Sequence, residues 1–323
     1  MSQGSVQTVD MLRAAGEPTR LRILALLAIE ELSVLELCRI LDQSQPRVSR
    51  HLKLLAEAGL VDRFPDGAWV FYRLTAAAAG RRLVDTALDI TDETDPVLRR
   101  DGDRLAEVTA ERSAEAAAYF ARNAARWDEI RALYAAETKV EAAINRAAGE
   151  GALGRLVDLG AGTGRMLTLL GGRTSRAIGL DLSQQMLNIA RVNVTSAGLL
   201  SCELRHGNIF ATGLPAACAD LVTVHQVLHY LGDPAAAVTE AARLVAPGGR
   251  LLIVDFAPHG HEFLRSQHQH RRLGFTDEEI IRWLESGGLA GSVQDSLPSA
   301  DGEGLTIKIW TGTRPAESLR SAA

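Results

Sequence analysis

The sequence has little cysteine, no long hydrophobic run and no excess of positive charge, and each shortage excludes a class of protein. Its 323 residues include three cysteines, which form no CxxC motif and are far apart: Cys38, Cys202 and Cys218. That spacing argues against a disulfide framework and against a thiolate zinc knuckle. The formal net charge of -5 argues against a protein that coats nucleic acid with its whole surface, although a local basic stripe can still dock on a duplex.

No apolar segment approaches the length of a membrane-spanning helix. The first ten residues, MSQGSVQTVD, contain neither a basic start nor an apolar stretch of the kind that directs export. We therefore expect a cytoplasmic protein without membrane contact. With 46% hydrophobic and 23% charged residues, the chain is long enough for two globular domains that each bury a core.

A helix, a tight turn and a second helix are predicted in residues 33–59. Ser33 and Glu36 form a capping-box pattern that opens the helix SVLELCRIL. After the short turn DQ, Ser44 is expected to cap a second helix, and Gly59 is expected to end it. Apolar residues at i, i+4 and i+7 give that helix one buried side, formed by Val48, Leu52 and Leu55.

Two alternating stretches, LVDRF and AWVFYRL, follow the second helix and flank the turn residues Pro65-Asp66-Gly67. Alternation on both sides of a turn predicts a β-hairpin, which is a candidate wing. Upstream of the helix pair, EPTRLRILALLA places Pro18 near the start of another helix, with leucines on one buried stripe at Leu21, Leu24 and Leu27.

The middle of the chain has a different composition. The polar stretch TDETDPVLRRDGD, which begins at Thr91, is predicted to be a linker or a helix junction. The alanine-rich sequence that follows has one helical face formed by Phe120, Ala124, Trp127, Arg131 and Tyr134. We expect this face to pack on the next domain, with a lid over a ligand or a dimer contact as alternatives. The predicted organisation is residues 1–92, a helical region 93–150, and residues 151–316.

From residue 155 onward, short β-like runs alternate with helical stretches. The runs are RLVDLG, RAIGLD, ADLVTVH and RLLIVDF, and LTIKIWTG is a last strand. Gly248-Gly249 is expected to make the turn into RLLIVDF, and Thr276 with Glu279 is a second capping box. This alternation of strands and helices is typical of βαβ crossovers and a parallel sheet.

The stretch VDLGAGTGR, residues 157–165, is a glycine loop directly after the first of these strands. A dinucleotide fingerprint requires GxGxxG, because its third glycine allows the helix to pack closely on the strand. Here the glycines fall at 160, 162 and 164, and Arg165 stands at the position of the third. The loop therefore argues against NAD.

The whole constellation resembles the class I S-adenosylmethionine (SAM)-dependent methyltransferases, in particular the UbiE-type small-molecule group, from residue 155 to about residue 314. The resemblance implies an α/β fold with a seven-stranded, mostly parallel Rossmann-like sheet that binds SAM or S-adenosylhomocysteine (SAH). It implies that Asp158 holds the methionine amino end and that Asp181 accepts hydrogen bonds from both ribose hydroxyls. The glycines that let the backbone approach the ligand are then Gly160, Gly162 and Gly164.

HGNIF resembles the segment that brackets adenine in this family. The family usually has Asp followed by an apolar residue, whereas this chain has Asn208 and then Ile209. An amide can still accept and donate at the purine edge. With Leu182, which follows Asp181, these residues complete the implied cofactor site.

After SAM binds, the protein mainly has to align the acceptor and exclude water, because the sulfonium of SAM already activates the methyl group. If the acceptor needs deprotonation, HQVLHYL offers His225, His229 and Tyr230 near the place where the family presents substrate-side groups. The alternative is that one histidine packs in the core and one is solvated.

Four more histidines lie in HGHEFLRSQHQHRR, beside Glu262: His259, His261, His268 and His270. Pairs of the form HxH can bind zinc, but the spacing provides no clean tetrahedral set. We expect no metal site, and instead a polar cap over the substrate pocket or plain surface.

The stretch SQPRVSRHLKLLAEAGLV, followed by the hairpin, resembles the ArsR family of winged-helix repressors over about residues 11–87. The resemblance implies a winged helix-turn-helix domain of the α+β type that binds a double-stranded DNA operator as a homodimer on near-palindromic sites. Polar and basic residues opposite the apolar side can contact phosphates and base edges. The candidate DNA-binding residues are Ser44, Gln45, Arg47, Ser49, Arg50, His51, Lys53, Arg63 and Arg73.

Metal sensors of that family often have thiols in the helix before the turn. Ser33 and Leu35 stand at the corresponding positions here, and Cys38 falls outside them. We therefore expect the effector to be SAM or SAH rather than a soft metal.

Three functions fit these patterns. The first is a dimeric transcriptional regulator whose second domain binds SAM or SAH and transfers the methyl group to a small molecule. The second is primarily a small-molecule methyltransferase that uses the winged helix only to dimerise or to contact a protein. The third is a SAM or SAH sensor without turnover.

Overall fold

A computed structural model describes residues 4–66, 69–75, 77–92, 94–124, 137–199, 201–299 and 304–316. The chain divides into two compact units, Met1–Glu115 and Ala116–Ala323. Among the described residues, no helix is both long and apolar enough to cross a membrane. Four residues named from the sequence fall outside the described ranges: Gly67, Trp127, Arg131 and Tyr134.

The first unit combines helices with a small antiparallel sheet of order β1-β3-β2. A hairpin joins β2 to β3, and β1 pairs with β3. This arrangement confirms the predicted helix-turn-helix with its hairpin. The elements are α1 (Ser5–Ala15), α2 (Pro18–Ile29), β1 (Leu32–Ser33), α3 (Val34–Leu41), α4 (Gln45–Glu57), β2 (Val61–Asp66), β3 (Trp69–Leu74), α5 (Ala78–Asp89) and the first part of α6 (Pro96–Asn123).

Local capping determines where the helices of the helix-turn-helix begin and end. The Ser33 hydroxyl accepts from the Glu36 N–H at 3.3 Å, and the Glu36 carboxylate accepts from the Ser33 N–H at 2.8 Å, so the capping box is confirmed. Ser44 stands at the N-cap of α4, but its side chain makes no capping hydrogen bond, contrary to the prediction. Pro46 has no N–H to donate, and the Arg47 N–H donates to the Ser44 carbonyl at 3.1 Å instead.

The predicted turn residues of the hairpin lie partly in a strand. Pro65 pairs with Val70, and Asp66 pairs with Trp69, so β2 continues two residues into the expected turn. Proline is tolerated there because β2 is an edge strand, where a missing ladder hydrogen bond costs little.

The polar stretch after Thr91 joins two helices, which is the helix-junction alternative of the prediction, and most of it belongs to the second helix. Helix α6 begins at Pro96. Its Asp101 is buried in the first unit, with 1% of the residue surface exposed. The Asp101 carboxylate accepts two hydrogen bonds from the Arg22 guanidinium, at 2.6 and 2.8 Å. That pairing raises the pKa of Arg22 and anchors α6 to α2.

We predict that Asp101→Ala destabilises the first unit by about 3 kcal/mol, because it leaves the guanidinium of Arg22 buried without its partner. Hydrogen exchange of the full-length chain, followed by mass spectrometry, should show faster exchange in α2 and the first half of α6. The control is Glu111→Ala on the same helix, which removes an exposed ion pair with Arg39 and should change exchange little. Equal effects of the two substitutions would contradict the prediction.

The second unit contains a seven-stranded sheet with helices around it, as the sequence predicted. The strand order is β6-β5-β4-β7-β8-β10-β9, parallel except for β10. Besides the end of α6, the elements are α7 (Glu137–Ala148), β4 (Gly154–Leu159), α8 (Arg165–Leu170), β5 (Thr174–Asp181), α9 (Gln184–Ser196), β6 (Cys202–His206), β7 (Ala219–His225), α10 (Pro234–Leu244), β8 (Val245–Phe256), α11 (Phe263–His268), α12 (Asp277–Ser286), β9 (Ala290–Leu297) and β10 (Ile307–Thr313).

Two strands and one irregularity were not recognised in the sequence. The edge strands β6 and β9 have no fully buried residue, so they lack the apolar run that identifies a central strand. Gly248-Gly249 does not precede a strand as a turn, because β8 begins at Val245 and runs through both glycines. The register against β7 shifts there, and Gly248 has a φ of 76°.

Candidate functional site

The carboxyl ends of β5, β4, β7 and β8 lie side by side, because these four parallel strands are neighbours in the sheet. Ligands of open α/β sheets bind at this edge. The glycine loop after β4 lies here. So do the acidic end of β5, the turn after β7 and the end of β8.

The glycine loop has a conformation that other residues adopt only with strain. Gly160, Gly162 and Gly164 have φ values of 73°, 51° and 83°. A Cβ on Gly160 would stand 2.4 Å from a methyl group of Val227, which belongs to the turn after β7. At Gly160 the loop therefore lies against the turn after β7 with no space for a side chain.

Asp158 lies beneath this loop at 1% exposure. Its Oδ1 accepts a hydrogen bond from the Thr223 hydroxyl at 2.7 Å. Burial raises the pKa of Asp158 to about 7, and the nearby negative charge of Asp181 adds to the rise, while the Thr223 hydrogen bond opposes it. A cation beside this carboxylate would stabilise its ionised form.

Asp181 ends β5 and fixes the glycine loop from the side. Its carboxylate oxygens accept hydrogen bonds from the Gly162 and Ser183 N–H groups, each at 2.8 Å. Burial raises its pKa, and these backbone hydrogen bonds oppose the rise. A carboxylate has about four acceptor sites, so both oxygens can accept further hydrogen bonds from a ligand.

The predicted adenine residues separate into exposed and buried groups. Leu182 is 61% exposed, and Asn208 is exposed and accepts a hydrogen bond from the Phe210 N–H at 2.9 Å. Ile209 instead packs in the hydrophobic core. Phe210, which the sequence analysis did not name, is 39% exposed beside Asn208. An exposed Phe after a strand is the signal that could have identified it.

His229 and Tyr230 lie in a short 3-10 turn after β7, and His225 is the last, partly buried residue of that strand. His229 is 1% exposed, and its Nδ1 is 2.7 Å from Oδ1 of Asp255, which is fully buried near the end of β8. Asp255 could not be recognised from the sequence, because 26 residues separate it from its partner.

The histidine-rich segment is not plain surface. His270 is 2% exposed, and its ring centroid is 4.2 Å from that of His229. His268 Nδ1 is 2.8 Å from the Tyr119 hydroxyl. Burial lowers the pKa of His259 to about 4. Within the described ranges, no group of three or more His, Cys, Asp or Glu residues could hold a metal ion.

Helix α4 presents most of the predicted DNA-binding side chains to solvent. Ser49 is partly buried, and the exposed residues are Ser44, Gln45, Arg47, Arg50, Lys53 and, on the hairpin, Arg63. Two candidates are turned inward. The His51 side chain is 15% exposed with Nδ1 3.4 Å from Glu17, and the Arg73 side chain is 21% exposed and pairs with Glu31. The side chains of His51 on the helix and Arg73 on the hairpin are therefore less exposed than their prediction as DNA contacts implied.

Two protein families match the two units. Residues 17–63 match the bacterial regulatory proteins of the arsR family, and residues 157–253 match a methyltransferase domain. The arsenical resistance operon repressor of Escherichia coli is 43% identical over 82 residues, which are 24% of this chain and 70% of that protein.

The second unit has methyltransferase relatives. A protein named as a probable S-adenosylmethionine-dependent methyltransferase from Mycolicibacterium smegmatis is 31% identical over 155 residues. That match covers 46% of this chain and 56% of the relative, so the chain spans little more than half of its length. A chain of the Haloferax volcanii complex of the Trm112 methyltransferase activator with a methyltransferase has the same fold. Its TM-score is 0.51 at 21% identity, with 61% of this chain and 97% of that one covered.

We predict that Gly160→Ala destabilises the second unit by about 3 kcal/mol, because the new methyl group meets Val227 and the backbone keeps a positive φ. Thermal unfolding of the full-length chain measures the loss. Gly172→Ala is the control, since nothing lies within 4 Å of a Cβ there. Adding Val227→Ala to Gly160→Ala should recover part of the stability. A loss no greater than that of Gly172→Ala would show that the loop is not closely packed.

Proposed function

Because the chain belongs to the arsR family of bacterial regulatory proteins and continues into a SAM-dependent methyltransferase domain, we propose that it is a transcriptional regulator that binds SAM or SAH and methylates a small molecule. The first unit binds operator DNA, and the second unit holds the methyl donor. The observation that carries the proposal is the pair of carboxylates, Asp158 and Asp181, on either side of a glycine loop at the carboxyl edge of a parallel sheet.

The residues present at this edge fit the adenosyl ligand. We place the cationic amino group of the methionine end at Asp158. This carboxylate is buried, so cations from solvent cannot pair with it. The ribose hydroxyls are placed at Asp181, whose two backbone hydrogen bonds fix the carboxylate in one orientation. SAM supplies a methyl group that its sulfonium already activates, so the protein mainly orients the donor and acceptor and excludes water.

The exposed apolar side chains of Leu182 and Phe210 support an adenine site. Leu182 follows β5, and Phe210 comes after the neighbouring parallel strand β6, where its N–H donates to the side-chain oxygen of Asn208 at 2.9 Å. An apolar purine face fits such side chains, and the Asn208 amide can bind the purine edge. Ile209 supports this segment from the core.

The DNA-binding proposal depends on the exposed face of α4. Arg50 and Lys53 carry positive charge on the second helix of a helix-turn-helix, with Gln45 and Ser49 nearby to reach base edges. A helix-turn-helix reads one half-site, and a homodimer reads two half-sites that are about one helical turn apart. We therefore propose that a homodimer binds a near-palindromic operator.

Ligand binding should depend on pH through Asp158. The bound ligand's amino cation favours the ionised carboxylate, so binding lowers the pKa of Asp158 from about 7 and releases a proton at lower pH. We predict that SAH affinity rises by up to about tenfold per pH unit between pH 5.5 and 7 and then levels off. Calorimetry of the full-length chain in two buffers of different ionisation enthalpy measures the released proton.

Asp158→Asn should bind SAH more weakly at pH 7.5 and lose this pH dependence, because the amide does not titrate. Asp295→Asn is the matched control, because Asp295 lies on the edge strand β9 and makes an exposed ion pair with Arg146. Unchanged affinity and an unchanged pH profile in Asp158→Asn would place the amino end of the ligand elsewhere.

We predict that Arg50→Ala with Lys53→Ala weakens binding to DNA from upstream of the protein's own gene by 10- to 100-fold. The homodimer loses four phosphate contacts, two in each half-site, so the salt dependence should also fall by a slope of about 4. Fluorescence anisotropy at several salt concentrations measures both, and SAH affinity should be unchanged. The charge-matched control is Arg81→Ala with Arg82→Ala on α5. If the α4 variant bound DNA as tightly as this control, the winged helix would serve dimerisation rather than DNA binding.

A further inference from the structure

We propose that His229 and Asp255 form a general-base pair in the methyltransferase domain, and that the methyl acceptor is an aromatic compound with a hydroxyl group. The inference rests on the proposed function and specifies its substrate class. His229 is the catalytic residue, since its imidazole takes the acceptor proton. Asp255 is a positioning residue, because it acts through His229.

The first support is the orientation of the imidazole. His229 Nδ1 lies 2.7 Å from Asp255 Oδ1, and a carboxylate can only accept at that distance, so Nδ1 carries the proton. The lone pair is then on Nε2. The Asp255 oxygen also accepts from the Phe256 N–H at 2.9 Å, which fixes the carboxylate. Fixing the tautomer through the second nitrogen is how a carboxylate prepares a histidine base.

The second support is the unused hydrogen-bonding capacity at this position. Within the described ranges, His229 Nε2 is buried and has no hydrogen-bond partner. A buried acceptor without a partner destabilises the fold, so an unpaired Nε2 calls for an explanation beyond packing. An acceptor hydroxyl that donates to Nε2 would satisfy it.

The third support is the place of His229 in the fold. Its turn follows β7, next to the glycine loop after β4, which Val227 of the same turn contacts. The His229 carbonyl accepts from the Arg271 and Arg272 N–H groups, at 2.8 and 3.0 Å. Both the side chain and the main chain of His229 are thus held at the edge where the methyl donor is proposed to bind.

The surroundings favour an aromatic acceptor. The rings of Tyr230, His270 and Phe256 have centroids 4.0, 4.2 and 4.9 Å from that of His229. Phe120 meets Tyr230 edge to face at 4.8 Å. An acceptor with an aromatic ring matches these neighbours, because aromatic rings pack favourably in edge-to-face or offset arrangements.

The chemistry explains why the acceptor carries a hydroxyl. The acceptor oxygen forms a bond to the methyl carbon while the carbon–sulfur bond breaks and its electron pair returns to sulfur. The hydroxyl proton moves to Nε2, and the resulting imidazolium is stabilised by the Asp255 carboxylate before it releases the proton to water. A thiol ionises readily near neutral pH, so transfer to sulfur needs this base much less.

The other titratable groups that face the imidazole come from three elements. They are Tyr230 from the same turn, His259 from the segment after β8, and His270 from the segment after α11. Burial lowers the pKa of His259 to about 4 and lowers the pKa of His270 as well, so both are neutral near pH 7. Neither adds a charged group to the His229 and Asp255 pair at that pH.

The test compares two probe acceptors, phenol and thiophenol, with SAM and the full-length chain. In Asp255→Ala the imidazole loses the acceptor that holds the proton on Nδ1 and stabilises the imidazolium, so kcat for phenol should fall by about 10²–10⁴ with little change in KM. In His229→Gln the phenol rate should fall similarly and should rise with pH as phenolate forms. Transfer to thiophenol should stay within about twofold in both variants.

A second readout does not depend on turnover. Nitrogen-15 NMR of the histidine-labelled chain, with the His229 signal identified by its loss in His229→Gln, reports the tautomer directly. We expect the Nδ1–H form in the native chain and a mixture of the two tautomers in Asp255→Ala, where no acceptor holds the proton on Nδ1. This measurement on the native chain tests the pair even if a variant fails to fold.

Several results would overturn the inference. They are an Nε2–H tautomer in the native chain, methylation of thiophenol but not of phenol, equal losses with both probes, or SAM binding with transfer to neither probe. Absence of SAM and SAH binding by calorimetry is a different result, because it contradicts the proposed function itself.

Discussion

The hydrogen bonds from the Gly162 and Ser183 N–H groups to the Asp181 carboxylate fix the geometry on which the proposed ligand site depends. They attach the glycine loop after β4 to the end of β5, and they orient the carboxylate that is proposed to bind the ribose. The loop can take this path only with residues that tolerate a positive φ, and Gly160 meets Val227 so closely that no side chain fits. Asp158 is then sealed beneath the loop, where burial raises its pKa to about 7.

Features that depend on neighbouring residues could be predicted from the sequence. The capping boxes at Ser33 and Thr276 form as expected, and Gly59 has the positive φ of a helix stop. The central strands were recognisable because both faces are buried, which gives apolar runs. The Ser44 cap was wrong because Pro46 supplies no N–H and the Arg47 N–H donates to the Ser44 carbonyl rather than to its hydroxyl.

Features that depend on residues far apart in sequence could not be predicted. Arg22 and Asp101 are 79 positions apart, and Asp101 looked like part of an acidic linker until its partner was known. The pairing of His229 with Asp255 likewise appears only when β7 and β8 lie side by side. The sequence predicts His229 just after the strand ADLVTVH, where the structure has it, and the fold supplies the carboxylate that pairs with its imidazole.

A regulator of this kind needs SAM or SAH to bind two states of the protein with different affinity, since a ligand of equal affinity shifts no equilibrium. Such regulation requires first that the carboxylates at the edge of the sheet hold an adenosyl ligand. Calorimetric titration of the full-length chain with SAH tests it most directly. We predict one site per chain, weakened at least about tenfold by Asp181→Ala through the loss of charge-assisted hydrogen bonds. Absence of heat with both SAM and SAH, or equal affinity in Asp181→Ala, would contradict it.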